Sequence, residues 1–135
     1  MEKFYLTSRG LDKLKKEHEQ LWEARNLQED PESLVLINQK FEELSTILKT
    51  YELIELPPKH RQNIVHLGAT VVVEVDGQID EFTILGTLEA NPSIGKISNE
   101  SPVGRALLSH KAGEEIIISS NIKTIYKIKE IRYEL

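Results

Sequence analysis

Apolar residues recur at alternating steps of three and four in the first half of the chain. The members of the first stripe are Leu11, Leu14, His18 and Leu21. The members of the second, longer stripe are Leu34, Ile37, Phe41, Leu44, Leu48 and Tyr51. Because this spacing keeps apolar side chains facing a partner helix, it predicts two helices that pack as a coiled coil.

A short polar segment separates the two stripes and predicts where one helix ends and the other begins. Pro31 cannot continue the first helix but suits the first position of a second one, with Asp30 as its N-cap. Thr7 is the predicted N-cap of the first helix, although Gly10 in its first turn weakens that helix. So short a connection requires antiparallel helices, which form a hairpin about 30–35 Å long ending near Pro57.

The second half of the chain changes to a period of two, which predicts β-strands. Val71, Val73 and Val75 lie on one face of a β-rich run, and the following Asp76-Gly77 favours a two-residue hairpin turn into a returning strand. Ser101-Pro102 predicts the cap and first residue of a short helix. Further strands are predicted at Glu115–Ser119 and from Thr124 to Tyr133, the last with a β-bulge because its apolar phase shifts.

These patterns predict an α+β fold. An antiparallel helical hairpin is expected over residues 1–57, a polar linker over 58–64, and an antiparallel β-sheet domain with one short helix over 65–135.

Composition narrows the functional classes. The formal net charge is −5, and residues 1–57 hold 8 Lys and Arg against 12 Asp and Glu. This disfavours general binding of polyanions and favours a protein partner or an electropositive cavity. The absence of cysteine excludes disulfides and thiolate metal sites. No run approaches the ~20 apolar residues of a membrane span, and no signal-peptide pattern opens the chain, so we expect a cytoplasmic protein without a membrane partner.

One stretch resembles a known family. Residues 95–108 read GKISNESPVGRALL and residues 110–115 read HKAGEE. This is similar to the C-terminal domain of the GreA/GreB transcript-cleavage factors, and residues 5–14 resemble the family's N-terminal opening. The resemblance implies a coiled-coil hairpin followed by an FKBP-like domain that is not itself an isomerase.

The resemblance also implies a partner, bacterial RNA polymerase. The C-terminal domain would dock at the rim of the polymerase's secondary channel through Glu100, Ser101 and Pro102, and the hairpin would enter the channel. The chain would then be an accessory factor and not an enzyme. It would have no cofactor of its own, use at most the polymerase's Mg²⁺, and meet nucleic acid only through the transcription complex.

Two interpretations stay open for the hairpin tip. Glu29, Asp30 and Glu32 could approach the polymerase Mg²⁺, because hard cations prefer carboxylate oxygens. Alternatively, Asp30 is only a cap and the acids only offset the helix dipole.

The family's tip pattern, similar to DLSENAEY, is absent, and the hairpin is shorter by about ten residues per arm, or ~15 Å. We therefore expect modulation of elongation without strong transcript cleavage, with true cleavage stimulation as the alternative.

The loop before the short helix also has two interpretations. Glu100, Ser101 and Pro102 suit docking onto a basic or apolar helix pair, but Ser101-Pro102 would also serve simply to begin a helix. The two roles are compatible.

The sequence disfavours two other functional classes. A peptidyl-prolyl isomerase needs an aromatic pocket, for which the second half offers only Phe82, Tyr126 and Tyr133. A homodimeric zipper through the second stripe is disfavoured by the proline turn, so a monomer is expected. His18 is predicted to be a semi-polar packing position, and the remaining histidines show no metal-ligand spacing.

Overall fold

The computed structural model describes residues 3–119 and 122–134 of the 135-residue chain. The fold divides into two compact units, the first ending at Leu53 and the second beginning at Ile54. Each unit is described by itself. In the described ranges, no helix combines the length and the apolar character that crossing a bilayer requires.

The first unit is built on two helices of equal length. Helix α1 spans Ser8–Leu27 and helix α2 spans Pro31–Thr50. The predicted caps are confirmed, because Thr7 Oγ1 accepts a hydrogen bond from the Gly10 N–H at 3.1 Å and Asp30 precedes Pro31 at the start of α2. Gly10 is buried in the first turn of α1, and the helix forms there despite the low helix propensity of glycine.

Side-chain contacts between the helices confirm the predicted antiparallel pairing. The His18 ring stacks on Phe41 with centroids 4.4 Å apart, and His18 Nε2 lies 2.8 Å from Ser45 Oγ. One turn further along α1, Trp22 meets the same Phe41 ring at 5.7 Å. His18 contacts Ser45, whereas Trp22, which comes later in α1, contacts Phe41, which comes earlier in α2. The two helices therefore run in opposite directions. The second stripe therefore packs against a helix of the same chain.

A short sheet at the open end of the hairpin was not predicted. Strand β1, Phe4–Leu6, pairs in parallel with strand β2, Tyr51–Leu53. Leu6 is fully buried against Leu44 and Ile47 of α2. The interpretation of Tyr51 as the last residue of the helical stripe was wrong, since α2 ends at Thr50 and Tyr51 has extended backbone angles. The apolar period fits a further turn of α2, and it does not show that Tyr51 instead pairs with Phe4 of β1.

The second unit is a five-stranded sheet with one helix. The strands are β3 at Ala69–Val75, β4 at Gln78–Leu85, β5 at Lys96–Ser98, β6 at Glu115–Ser119 and β7 at Lys123–Tyr133. Their order in the sheet is β5-β4-β3-β7-β6. Helix α3, Pro102–Leu107, packs against both β5 and β6, so the sheet curls around it.

The predicted α+β class is confirmed, with one refinement of the sheet. The β3–β4, β3–β7 and β6–β7 pairs are antiparallel as expected, but β4 and β5 are parallel, so the sheet is mixed. The chain between Leu85 and Lys96 makes this possible because it turns back through a 3₁₀ turn at Pro92–Ile94, so that Lys96 lies opposite Thr83 near the end of β4. Parallel neighbours need such a crossover connection, which strand periodicity does not reveal.

Two local predictions in the sheet are confirmed. Asp76 and Gly77 connect β3 to β4 with φ angles of 51° and 77°, the left-handed pair that a type I′ hairpin turn requires. In β7 the register against β3 shifts between Val72 and Val73, which leaves Lys129 as the extra residue of a bulge.

The core of the second unit lies between the sheet and α3. Its buried members are Val65, Ala69, Val71, Val73, Ile84, Ile97, Leu107, Ile116, Ile118 and Ile128. The segment before β3, part of which was predicted as a linker, contains a 3₁₀ turn at Lys59–Arg61. It is tied to the sheet by the Tyr133 hydroxyl, which donates to the Ile64 carbonyl and accepts from the His66 N–H at 2.9 Å.

Candidate functional site

The loop between β5 and α3 is held by hydrogen bonds that converge on Ser98. The Ser98 carbonyl accepts bonds from the Ser101 N–H at 3.0 Å and from the Ser101 hydroxyl at 2.6 Å. The Ser98 hydroxyl oxygen accepts a bond from the Glu100 N–H at 3.0 Å. Because Ser98 is the last residue of β5, these bonds anchor the loop directly to the sheet.

The same loop begins the short helix α3. Ser101 Oγ accepts a hydrogen bond from the Gly104 N–H at 3.1 Å, which confirms Ser101 as the N-cap, and Pro102 is in the first turn. Gly104 is buried, and a Cβ atom there would come within 2.1 Å of the Ser98 carbonyl oxygen. Glycine is therefore needed at this position for close approach of α3 to β5.

This framework presents two side chains to solvent. Glu100 and Pro102 are exposed, while Ser101 between them is only partly exposed because its hydroxyl is used in the loop. Arg105, one turn later, is also exposed. An exposed carboxylate beside a rigid apolar ring suits a partner surface that is basic with an apolar component, because the backbone that carries both is already held by hydrogen bonds before binding. The structure thus brings the three predicted docking residues together.

The hairpin tip contains the second group of predicted residues. Gln28 ends α1, and its Oε1 accepts a hydrogen bond from the Asp30 N–H at 3.0 Å. Asp30 Oδ2 accepts bonds from both the Ser33 N–H, at 3.1 Å, and the Ser33 hydroxyl, at 2.7 Å. The tip is thus a tight connection in which the N-cap of α2 is formed as predicted.

Electrostatics distinguish Asp30 from its acidic neighbours. The Ser33 hydroxyl, followed by the Ser33 N–H, lowers the pKa of Asp30 below its ordinary value of 3.8, because both bonds stabilise the carboxylate. Glu29 and Glu32 are exposed beside it. One carboxylate oxygen of Asp30 is thus engaged in capping, which leaves Glu29 and Glu32 as the acids at the tip that could approach a cation.

His110 belongs to a local hydrogen-bonded cluster. His110 Nδ1 lies 3.0 Å from Glu114 Oε2, which also accepts a bond from the Lys111 N–H at 2.6 Å. These contacts, led by the Lys111 N–H, lower the pKa of Glu114. Over residues 3–119 and 122–134, no three His, Asp or Glu side chains are grouped in a way that would hold a metal ion.

The three aromatic residues considered for an isomerase pocket contribute to the core. Phe82 and Tyr126 face each other with ring centroids 6.5 Å apart, and they pack against the core cluster together with Tyr133. Their rings are therefore used in packing between the sheet and its helix.

Two residues that shape the loop between β5 and α3 were not predicted. Neither Ser98 nor Gly104 was assigned a role, although both belong to the stretch GKISNESPVGRALL. A serine that ends a strand three residues before a second serine is a signal for a capped loop, but the close approach at Gly104 depends on how α3 packs.

Comparisons with known proteins identify relatives of this chain. A family model described as transcription elongation factor, GreA/GreB, C-term, matches residues 60–133. The chain is 39% identical over 140 residues to the transcription elongation factor GreA of Thermomicrobium roseum, an alignment that covers 88% of this chain and 90% of that protein. It is 39% identical over 79 residues to the GreA of Listeria welshimeri, covering 57% of this chain and 49% of that protein.

Among solved structures, the GreA factor homolog 1 protein of Thermus thermophilus is 22% identical, with 97% of this chain and 99% of that chain covered and a TM-score of 0.48. The family model spans more than half of the chain, and the Thermomicrobium relative spans most of it. The chain therefore belongs to the GreA/GreB family.

Proposed function

We propose that this protein is a transcription elongation factor of the Gre type that acts on bacterial RNA polymerase as an accessory factor, not as an enzyme. The observation that carries the proposal is the match over most of the chain to proteins named transcription elongation factor GreA. A helical hairpin and a sheet unit with an anchored, exposed loop support it.

The loop at Glu100, Ser101 and Pro102 is the proposed docking site, at the rim of the polymerase's secondary channel. Ser101 holds the loop, and Glu100 and Pro102 make the contact. An exposed carboxylate favours a basic partner, because charge complementarity raises the association rate and penalises wrong partners. We propose that a single chain in the cytoplasm is the acting form.

The hairpin is proposed to reach into the channel and modulate elongation without strong stimulation of transcript cleavage. Asp30 is committed to capping α2, so its carboxylate is less free to hold a second Mg²⁺. Any Mg²⁺ involved belongs to the polymerase, and nucleic acid is met only through the transcription complex.

Binding is tested with a pull-down on core RNA polymerase. We expect wild type to be retained and Glu100→Arg/Pro102→Ala to be lost. The same replacements at exposed positions outside the loop, Glu55→Arg/Pro58→Ala, are the matched control and should be retained. Failure of wild type to bind would contradict the proposed function, and equal loss in both variants would contradict the docking site.

The role of the tip is tested on backtracked polymerase complexes by following RNA shortening. We expect little shortening with wild type. Strong shortening that disappears in Glu29→Ala/Asp30→Ala would establish the alternative function, stimulation of transcript cleavage. Ser33→Ala is a control for the cap, since it weakens the Asp30 hydrogen bonding without removing a carboxylate.

A further inference from the structure

The sheet of the second unit has two edges that differ in how they are covered. At the β5 edge, Asn91 bridges Lys96 through backbone bonds of 2.7 and 3.2 Å, which partly covers a strand of only three residues. Strand β6 forms the opposite edge, and none of the described residues pairs with its outer side. It contains no lysine, proline or bulge, which usually protect an edge strand, and Glu115 is its one charged residue.

The hydrogen bonds of β7 show which of its backbone groups face β6. The Ile128 N–H donates to the Glu114 carbonyl at 2.9 Å, and the Ile128 carbonyl accepts from the Gly113 N–H at 2.8 Å. Ile128 thus directs both backbone groups towards the β6 side. Because backbone direction alternates along a strand, Tyr126 and Thr124 also direct theirs to β6.

It follows which groups of β6 are left at the free edge. Tyr126 and Thr124 lie opposite Ile116 and Ile118, so these two isoleucines use their backbone groups in the β6–β7 ladder. The backbone N–H and C=O groups of Glu115, Ile117 and Ser119 therefore point away from the sheet. They are available to another strand.

Side chains of β6 and β7 form one apolar cross-strand pair that lies between two polar cross-strand pairs. Ile117 lies opposite Ile125, and the two side chains are 63% and 54% exposed. On the same face, Glu115 is opposite Lys127 and Ser119 is opposite Lys123. An exposed isoleucine pair on a strand with free backbone groups favours addition of a further strand.

The sequence of β6 is complementary to itself in one antiparallel register. If two copies pair about a two-fold axis at Ile117, this residue lies opposite Ile117 of the second copy and Glu115 lies opposite Ser119 of the second copy. No like charges are opposed, and a row of four isoleucines crosses the two sheets. The outward groups of Glu115, Ile117 and Ser119 are also those that such a ladder uses.

We propose that β6 is a self-association edge, at which a second copy of this chain pairs antiparallel through Glu115, Ile117 and Ser119. A strand of five residues buries little surface, so the association is weak and depends on concentration. Single chains dominate at low concentration, and the paired form appears at high concentration. This inference does not depend on the proposed function.

Sedimentation equilibrium of the full chain over a wide concentration range tests the proposal. For wild type, we expect the average mass to rise from 15.5 kDa towards twice that value. Ser119→Lys places a lysine opposite each Glu115 and should tighten association roughly fivefold. Ser119→Glu opposes like charges and should weaken it by a similar factor. The double change Glu115→Lys/Ser119→Glu should restore it.

A matched control distinguishes pairing in this register from non-specific hydrophobic association. Ile79 on β4 is 64% exposed, so Ile79→Lys removes a comparable isoleucine away from β6 and should leave association unchanged, whereas Ile117→Lys should abolish it. Circular dichroism checks that each variant is folded. The proposal is overturned if wild type and Ser119→Lys both stay at the single-chain mass, if Ser119→Lys and Ser119→Glu shift association equally, or if Ile79→Lys abolishes it.

Discussion

The carbonyl oxygen of Ser98 lies where a Cβ atom on Gly104 would approach it to 2.1 Å. Since this oxygen is held by two bonds from Ser101, it cannot move without breaking the loop. We expect Gly104→Ala to lower the free energy of unfolding by about 2 kcal/mol. Urea denaturation measures this, with Arg105→Ala as the neighbouring exposed control, expected within about 0.5 kcal/mol of wild type. Equal stability of Gly104→Ala and wild type would contradict the close approach.

Tyr133 is expected to stabilise the second unit through its hydroxyl. Tyr133→Phe keeps the ring but leaves the Ile64 carbonyl and the His66 N–H without this partner, so unfolding should become easier by about 1–2 kcal/mol. Thermal denaturation at neutral pH gives the difference. An unchanged midpoint would show that water replaces the hydroxyl at no cost.

The same residue predicts an alkaline effect on stability. Burial raises the pKa of Tyr133 above its ordinary value of 10.0. The neutral phenol is therefore favoured in the folded state, so its contribution is present below pH 10 and is lost as the pH rises through the folded pKa. Denaturation from pH 9 to pH 12 should show a steeper loss in wild type than in Tyr133→Phe. Parallel curves would contradict the prediction.

Asp30 predicts an effect at low pH. Since hydrogen bonds from Ser33 lower its pKa, the stabilising carboxylate is fully present above the ordinary value of 3.8 and is lost as the pH falls through the lower folded pKa. Ser33→Ala removes the largest cause and should move the Asp30 pKa up towards 3.8. Carboxyl ¹³C shifts followed by NMR measure this directly. An Asp30 titration that is identical in both proteins would refute the capping interaction.

Ser109 adopts a strained backbone conformation. Its φ of 72° lies in the left-handed region, and its N–H donates to the Val65 carbonyl at 2.8 Å, so the position is fixed by the fold. Ser109→Gly should raise the free energy of unfolding by about 0.5–1 kcal/mol, because relief of strain exceeds the added entropy of the unfolded chain. Ser109→Ala keeps the strain and is the control. A gain in the alanine variant, or none in the glycine variant, would contradict this explanation.

Local signals in the sequence predicted much of the fold. The caps at Thr7, Asp30 and Ser101 and the turn at Asp76-Gly77 follow from chemistry within a few residues, and all are present. The features that were missed involve residues distant in sequence. The pairing of β1 with β2 joins segments 47 positions apart, since Phe4 lies opposite Tyr51, and no periodicity in either segment indicates such a partner.

The candidate site shows the same division. The resemblance identified Glu100, Ser101 and Pro102, and the structure explains how the loop is held. The sequence resemblance could not show that the Ser98 carbonyl approaches Gly104, because that contact depends on the distance between α3 and β5. The free backbone groups of β6 likewise depend on sheet order, which alternation within one strand does not specify.

The β1–β2 pairing at the open end of the hairpin has a consequence for how this protein could vary among its relatives. The pairing of Phe4 with Tyr51 and the stacking of His18 on Phe41 connect the two arms at two separate places. Residues added to one arm alone would shift one helix relative to the other, and either the β1–β2 pairing or the stacking of His18 on Phe41 would be lost. Changes in reach should therefore arise as matched insertions in both helices near the turn, in steps of about seven residues that preserve the facing side chains.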